Sequence, residues 1–297
     1  MITIFATPKN FEGIFDIIQT NAINSWRALS KEVEIIIFGD SNGAREISLD
    51  VKAVHIPDVK CSPNGVPILS DLFNQANQIA SNELLMFINA DIILPDNFLD
   101  VISILKKKRQ FLMVGHRWDM DIDYYVNFNN ENKKKYFWKR AEDESIMHAC
   151  TGIDYFIFRK GTFNNLPDFV IGRPGYDNWI LWYSRRHFIP LIDATNKIKA
   201  IHQNHHFNFH NLKQDPKVVL ESDGIKNKKL IGENTLNLLD TNYIIQNRKI
   251  KKNNNPDFIN RNLGKLPIIY PELSFLLILY KKFYRKYQKL QRKINSK

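Results

Sequence analysis

The stretch that most restricts this chain is residues 84–94, Leu-Leu-Met-Phe-Ile-Asn-Ala-Asp-Ile-Ile-Leu, an apolar run interrupted by Asn89 and a single carboxylate, Asp91. Read as a buried strand, it leaves no cheap position for an ionised acid, because an unpaired carboxylate inside it would cost several kcal/mol. Asp91 is therefore expected where the strand ends, holding a positive partner for which a divalent metal ion is suited.

The neighbouring sequence alternates in the same sense. Strands are expected at residues 2–6, 34–38, 53–56 and 111–115, besides the one ending at Asp91. Between them, residues 11–29 carry Phe11, Ile14, Phe15, Ile18, Ala22 and Trp26 close to the helical repeat. Residues 67–80 read as a second helix with Ser70 or Asp71 near its cap, and a short helix follows Pro95. This alternation predicts an α/β fold with a mostly parallel central sheet flanked by helices. The second half brings a strand at 155–158, a Gly172-Arg173-Pro174-Gly175 turn, a helix over 176–186 and extended chain over 190–201. No repeat of solenoid period is visible. Three regions are expected: a domain over 1–210, a polar and partly irregular extension over 211–262 with a loose linker at 248–262, and a basic amphipathic C-terminal helix over 263–297.

Composition removes some classes of function. With 297 residues, 44% hydrophobic and 12% aromatic, the chain has ample material for a core and is not disordered as a whole. Cys61 and Cys150 supply neither a disulfide framework nor zinc-site spacing, and the N-terminus opens directly into Ile2-Thr3-Ile4-Phe5-Ala6, so a cytoplasmic location is expected. The net charge of +11 suggests nucleic acid, but the excess is heaviest in the last third and accompanies no aromatic RNA-binding signature, so no specific nucleic-acid partner is expected. The apolar residues 273–280 are followed by Lys281, Lys282, Arg285, Lys286, Lys289, Arg292 and Lys293 with no acid among them. That run is too short to span a bilayer, and such a tail either lies on an anionic membrane surface on the inner face or packs on the domain with a frayed end.

Taken in order, Asn89-Ala90-Asp91-Ile92-Ile93-Leu94, Gly115-His116-Arg117-Trp118, Thr151-Gly152-Ile153-Asp154-Tyr155-Phe156, Gly172-Arg173-Pro174-Gly175-Tyr176-Asp177-Asn178-Trp179, Ile192-Asp193-Ala194-Thr195 and Ala200-Ile201-His202-Gln203-Asn204-His205 resemble nucleotide-sugar glycosyltransferases of the GT-A fold, family 2-like enzymes of polysaccharide or glycolipid biosynthesis. The resemblance covers about residues 1–210. It implies a Rossmann-like GT-A sheet with a nucleotide diphosphate-sugar, a UDP-sugar by preference, across its carboxyl edge, together with Mn²⁺ or Mg²⁺ and a hydroxyl acceptor such as a lipid-linked glycan.

Residue by residue, the resemblance implies nucleotide contacts at Thr7, Pro8 and Asp40, the last of these being equally at home in a local Gly-Asp-Ser turn. Asn89 and Asp91 stand at the Asp-x-Asp motif, where Asn89 replaces the first acid and leaves metal dependence open. Asp91 with His202 would hold the metal, His205 and His206 being the next candidates for that contact and a surface histidine the plain reading. Arg117 suits a phosphate or a structural ion pair, Gly152 a close approach to the donor sugar or a simple turn, and Asp154 a sugar or acceptor hydroxyl. Asp177, in the first turn of its helix, is implied as the general base of an inverting transfer; helix capping explains an acid there as well. Asn178 is a candidate for the acceptor side, Trp179 for stacking on an acceptor sugar or for the core, and Trp182 for the core. The acidic run Asp119-Met120-Asp121-Ile122-Asp123 fails as a calcium loop and reads as a solvated loop near the acceptor. A retaining transferase, or a non-catalytic nucleotide-sugar or membrane-binding relative, remains open beside the inverting enzyme.

Overall fold

The computed structural model describes residues 1–205, 216–275 and Lys282. Its strands are β1 (Ile2–Ala6), β2 (Glu34–Phe38), β3 (Val54–Ile56), β4 (Leu84–Ile88), β5 (Ile92–Ile93), β6 (Leu112–Val114), β7 (Arg117–Met120), β8 (Ile146–Met147), β9 (Tyr155–Arg159), β10 (Leu191–Asp193), β11 (Ala200–Gln203), β12 (Tyr243–Gln246) and β13 (Lys249–Lys252). Its helices are α1 (Ile14–Leu29), α2 (Ala44–Asp50), α3 (Leu69–Ile79), α4 (Phe98–Ile102), α5 (Glu131–Glu144), α6 (Tyr176–Arg186), α7 (Pro216–Ile231) and α8 (Pro256–Ile269).

Among the described residues, nine strands form the main sheet in the order β13-β12-β10-β6-β9-β4-β1-β2-β3 and four form a second one. The pairs β1–β2, β1–β4, β2–β3, β6–β10 and β10–β12 are parallel, while β9 runs antiparallel between β4 and β6. Both faces are covered, as the near-continuous apolar strands require. Along β1, Ile2, Ile4 and Ala6 enter one core with Trp26 of α1, whereas Phe5 enters the other with Phe73 of α3. This is the two-residue alternation of a strand written into a segment with no polar face.

Four short strands make a second sheet, β5-β11-β7-β8, beside the carboxyl end of β4. Here the structure departs from the expectation that one strand runs to Asp91. β4 stops at Ile88, residues 89–91 turn with Ile92 N–H donating to the Asn89 carbonyl at 3.2 Å, and the chain resumes as β5 in the second sheet. The extended stretch expected over 190–201 likewise divides, β10 going to the main sheet and β11 to the small one.

The expected division of the chain also changes. Residues 248–262 are not a loose linker, because they hold β13 and the first part of α8. A two-residue turn with Asn247 at φ 49° and Arg248 at φ 56° closes the β12–β13 hairpin, and β12 extends the main sheet beside β10. Residue 210 is therefore no boundary between a complete sheet and an appendage. The basic tail beyond Tyr280, apart from Lys282, lies outside the described residues, as do residues 206–215. Among the described residues no helix is long and apolar enough to cross a membrane.

Candidate active site

A cleft of about 760 Å³ opens at the carboxyl edge of the main sheet, between the exit of β4, the small sheet and the start of α6. Thr7, Asn89, Asp91, Arg117, Asp154, Asp177 and His202 all line it, joined by Lys9, Asp121, Arg173, Asn204 and His205. Asp91 and Asp177 are far apart in sequence yet share this one cavity.

The register of the small sheet explains the first cluster. β5 pairs antiparallel with β11 so that Ile92 faces His202, which brings His202 beside the preceding residue, Asp91. β11 also pairs in parallel with β7, placing His202 opposite Asp119. The Asp91 backbone carbonyl accepts from the Gln203 side chain at 3.1 Å, pinning the turn to the strand. In consequence Asp91 Oδ2 stands 3.2 Å from His205 Nε2 and 3.7 Å from His202 Nε2.

These three side chains offer ligand atoms within 4.8 Å of one another. One carboxylate oxygen and two imidazole nitrogens suit Mn²⁺ and comparable divalent ions. The second oxygen, Asp91 Oδ1, is buried and has no hydrogen-bond partner among the described residues, as expected of an atom that serves an ion. The donor set therefore fits a divalent metal. Burial works to raise the Asp91 pKa, but the His205 hydrogen bond and the fields of His202, His205 and Arg117 together outweigh it and hold the group below its ordinary value.

Behind the cluster lies a second layer. Asp119 Oδ1 is 3.0 Å from His202 Nδ1 and 3.0 Å from Arg117 Nε, and Asp119 Oδ2 is 2.6 Å from His148 Nδ1. Arg117 Nη1 reaches Asp154 Oδ2 at 3.0 Å, and Asn89 Nδ2 donates to Asp154 Oδ1 at 2.5 Å. The β4–β9 pairing sets up that last contact: Ile88 faces Tyr155, and one step further Asn89 N–H donates to the Asp154 carbonyl at 2.9 Å. Burial raises the Asp154 pKa and the Asp91 charge adds to the rise, against the opposing pull of Arg117.

Asp177 arrives from the opposite wall. Gly175 caps α6 at φ 99°, in the left-handed region that favours glycine, and a Cβ there would stand 2.5 Å from Ile231 Cδ1 of α7. The turn therefore seats α7 closely and aims the first turn of α6 at the cleft. Burial pushes the Asp177 pKa up to about 6; backbone N–H groups of Asn178, Asp177 and Gly175 pull it down, and the Asp154 charge raises it. A half-buried carboxyl with that value is poised to exchange a proton near neutral pH.

Other expected contacts fall elsewhere. Pro8 is buried, its carbonyl accepting from Ser41 Oγ at 2.7 Å, and Asp40 is exposed at the β2 exit; neither lines the cleft. Gly152 lies against the His148 ring, not at the cavity wall, where a Cβ would meet His148 Cδ2 at 2.3 Å. Trp179 and Asn178 do not line the cleft. Trp179 is 7% exposed within a ring cluster of Phe169, Trp182 and Tyr183, and Asn178 Nδ2 donates to the Leu236 carbonyl at 2.9 Å. On a helix whose first turn meets the cleft, the two following residues rotate away by about 100° each and reach the core and the neighbouring loop.

Sequence reasoning passes over Asp119 and His148 as site components, and it ranks His205 behind His202 among the histidines expected at the metal or diphosphate. Asp119 is expected in a solvated loop, but it sits half-buried on β7 between Arg117, His148 and His202. The Arg117-Trp118-Asp119-Met120 alternation was the available signal, since β7 turns Arg117 and Asp119 to one side.

No protein-family model and no curated protein matches the chain. Among solved structures it is similar to glucosyl-3-phosphoglycerate synthase from Mycobacterium tuberculosis in complex with Mn²⁺, UDP and glucosyl-3-phosphoglycerate, at 13% identity over 79% of this chain and 80% of that one, with a TM-score of 0.46. The same synthase with Mg²⁺ and UDP aligns at 14% identity over 69% of this chain and 72% of that one, TM-score 0.42. TarS residues 1–349 from S. aureus, in complex with UDP-GlcNAc, aligns at 15% identity over 40% of this chain and 35% of that one, TM-score 0.32, so the match spans about a third of the TarS fragment.

Proposed function

We propose that this protein transfers a sugar from a nucleotide diphosphate-sugar to a hydroxyl acceptor, with inversion and with Asp177 as the general base. The observation that carries this reading is the convergence of Asp91 and Asp177 on one cleft at the carboxyl edge of a mostly parallel sheet.

Asp91, His202 and His205 would hold a divalent ion, which when bound offsets the negative charge of the diphosphate. Lys9 and Arg173 add positive charge along the same wall. Arg117 is already engaged by Asp119 and Asp154, so its part is to hold those two carboxylates in place. Asn89 braces Asp154 through its amide. In the transfer, the acceptor oxygen forms its bond to the anomeric carbon while the bond from that carbon to the diphosphate oxygen breaks. The electron pair leaves with the nucleoside diphosphate, and the acceptor proton passes to a carboxylate oxygen of Asp177. The pKa of about 6 leaves that carboxylate ionised at neutral pH. Thr7, at the exit of β1 and on the cleft wall, is the nucleotide-side contact retained in this reading; a UDP-sugar is the donor this reading prefers.

The test is Asp177→Asn with a panel of UDP-sugars. Transfer should fall by about 10²–10⁴-fold, the range a general base supplies, with donor affinity unchanged in a calorimetric titration. Full transfer activity in the variant would remove the base assignment. A retaining mechanism would show as product with the donor's anomeric configuration.

A further inference from the structure

We propose that the face built by the C-terminus of α6 and the 270–275 turn docks on an anionic membrane surface, independently of what the cleft transfers. α6 ends in a motif that normally carries glycine: Ile189 N–H donates to the Ser184 carbonyl at 2.8 Å and Phe188 N–H to the Arg185 carbonyl at 3.3 Å. The residue in the left-handed position is Phe188, at φ 58°, and its side chain is 80% exposed. A bulky aromatic at positive φ gains nothing from the backbone, and one left in water gains nothing from the core.

Phe188 does not stand alone. Its ring stacks on Tyr270 with centroids 5.3 Å apart, Arg186, ion-paired to Glu272 at 2.5 Å, lies 5.8 Å over the same Tyr270 ring, and Leu273 and Phe275 continue the surface at 40% and 56% exposure. Ile259 and Leu263, exposed one turn apart on α8, lead along that helix toward Tyr270.

The sequence states what kind of surface this face meets. The chain continues from Phe275 into residues 276–297, which hold Lys281, Lys282, Arg285, Lys286, Lys289, Arg292, Lys293 and Lys297 and no Asp or Glu. Exposed aromatic side chains followed along the sequence by a run of cations match a bilayer interface with anionic headgroups, where apolar insertion and electrostatic attraction add. A soluble acidic partner would use the cations and leave the rings without a role.

The experiment is sedimentation of the full chain with phosphatidylcholine vesicles, with and without phosphatidylglycerol, over a salt series. Binding should require the anionic lipid and weaken with salt. Phe188→Asn should lower the partition coefficient about tenfold, the worth of one inserted aromatic, and raise the melting temperature because Asn tolerates the left-handed position. Phe275→Ser should lower the partition comparably. The proposal is overturned if the full chain ignores anionic vesicles, or if both variants sediment as the parent does. It is equally overturned if the chain forms a lipid-free dimer that Phe188→Asn dissolves, which would give the face to a second copy.

Discussion

At the scale of single residues, Asp177 carries an effect on stability as well as on chemistry. Its folded pKa, about 6, lies above the ordinary 3.8, so the folded state binds the extra proton between those values. Stability from this group is present at low pH and falls as pH rises through that window; above it the ionised carboxylate is a standing cost. Asp177→Asn is expected to raise the melting temperature by a few degrees at about pH 7.5 and by less at about pH 4.5, as scanning fluorimetry would read. Transfer by the parent should lose activity below about pH 6 as the base protonates. For the metal cluster, His205→Ala should weaken Mn²⁺ binding by at least about tenfold in a calorimetric titration, and unchanged binding would take His205 out of the donor set. Asp91 was legible as a chemical anomaly because an acid in an apolar run demands a partner. Asp119 and His148 were not, since their surroundings come from strands that are distant in sequence.

At the scale of elements, the start of α6 is where backbone and function meet. Gly175→Ala combines a strained left-handed φ with a contact on Ile231, and it should cost about 1–3 kcal/mol in denaturant unfolding. Ile231→Ala in the same background should recover the part due to the clash and leave the part due to φ. Most strand and helix positions in the first half agreed with the pattern: β1 and β2 occupy the expected residues, and α1 and α3 begin inside theirs. Strong apolar periodicity makes such elements readable. The β12–β13 hairpin was missed for the converse reason. Its turn uses Asn247-Arg248 in place of an Asn-Gly pair, and β13 reads Lys-Ile-Lys-Lys, so neither turn chemistry nor hydrophobic alternation announced it.

At the scale of the whole molecule, residues 240–262 lock the sheet from its far side. Arg185, 6% exposed, donates to the Asp240 carbonyl at 2.6 Å and to Asn262 Oδ1 at 2.6 Å, while Arg261 pairs with the buried Asp240 carboxylate at 2.7 Å. Asn242 Oδ1 accepts the Leu191 N–H of β10 at 2.9 Å. A chain ending at residue 210 would lose these partners and uncover β10 as an edge, so it should lack a cooperative thermal transition and be cut readily in limited proteolysis. Asp240→Ala in the full chain should cost about 2 kcal/mol, the worth of charge-assisted hydrogen bonds left unmade. The sequence by itself determined the α/β class, the apolar strands and the single acid that needed a cation, because burial and periodicity are local properties of a chain. The tertiary structure alone decided that Asp91, His202 and His205 form one cluster, that Asp177 looks into the same cleft, and that Trp179 and Asn178 turn away. Register between β5, β11 and β7, and the rotation of α6 set by Gly175, are relations between segments that hydrogen bonding fixes only once the sheet exists.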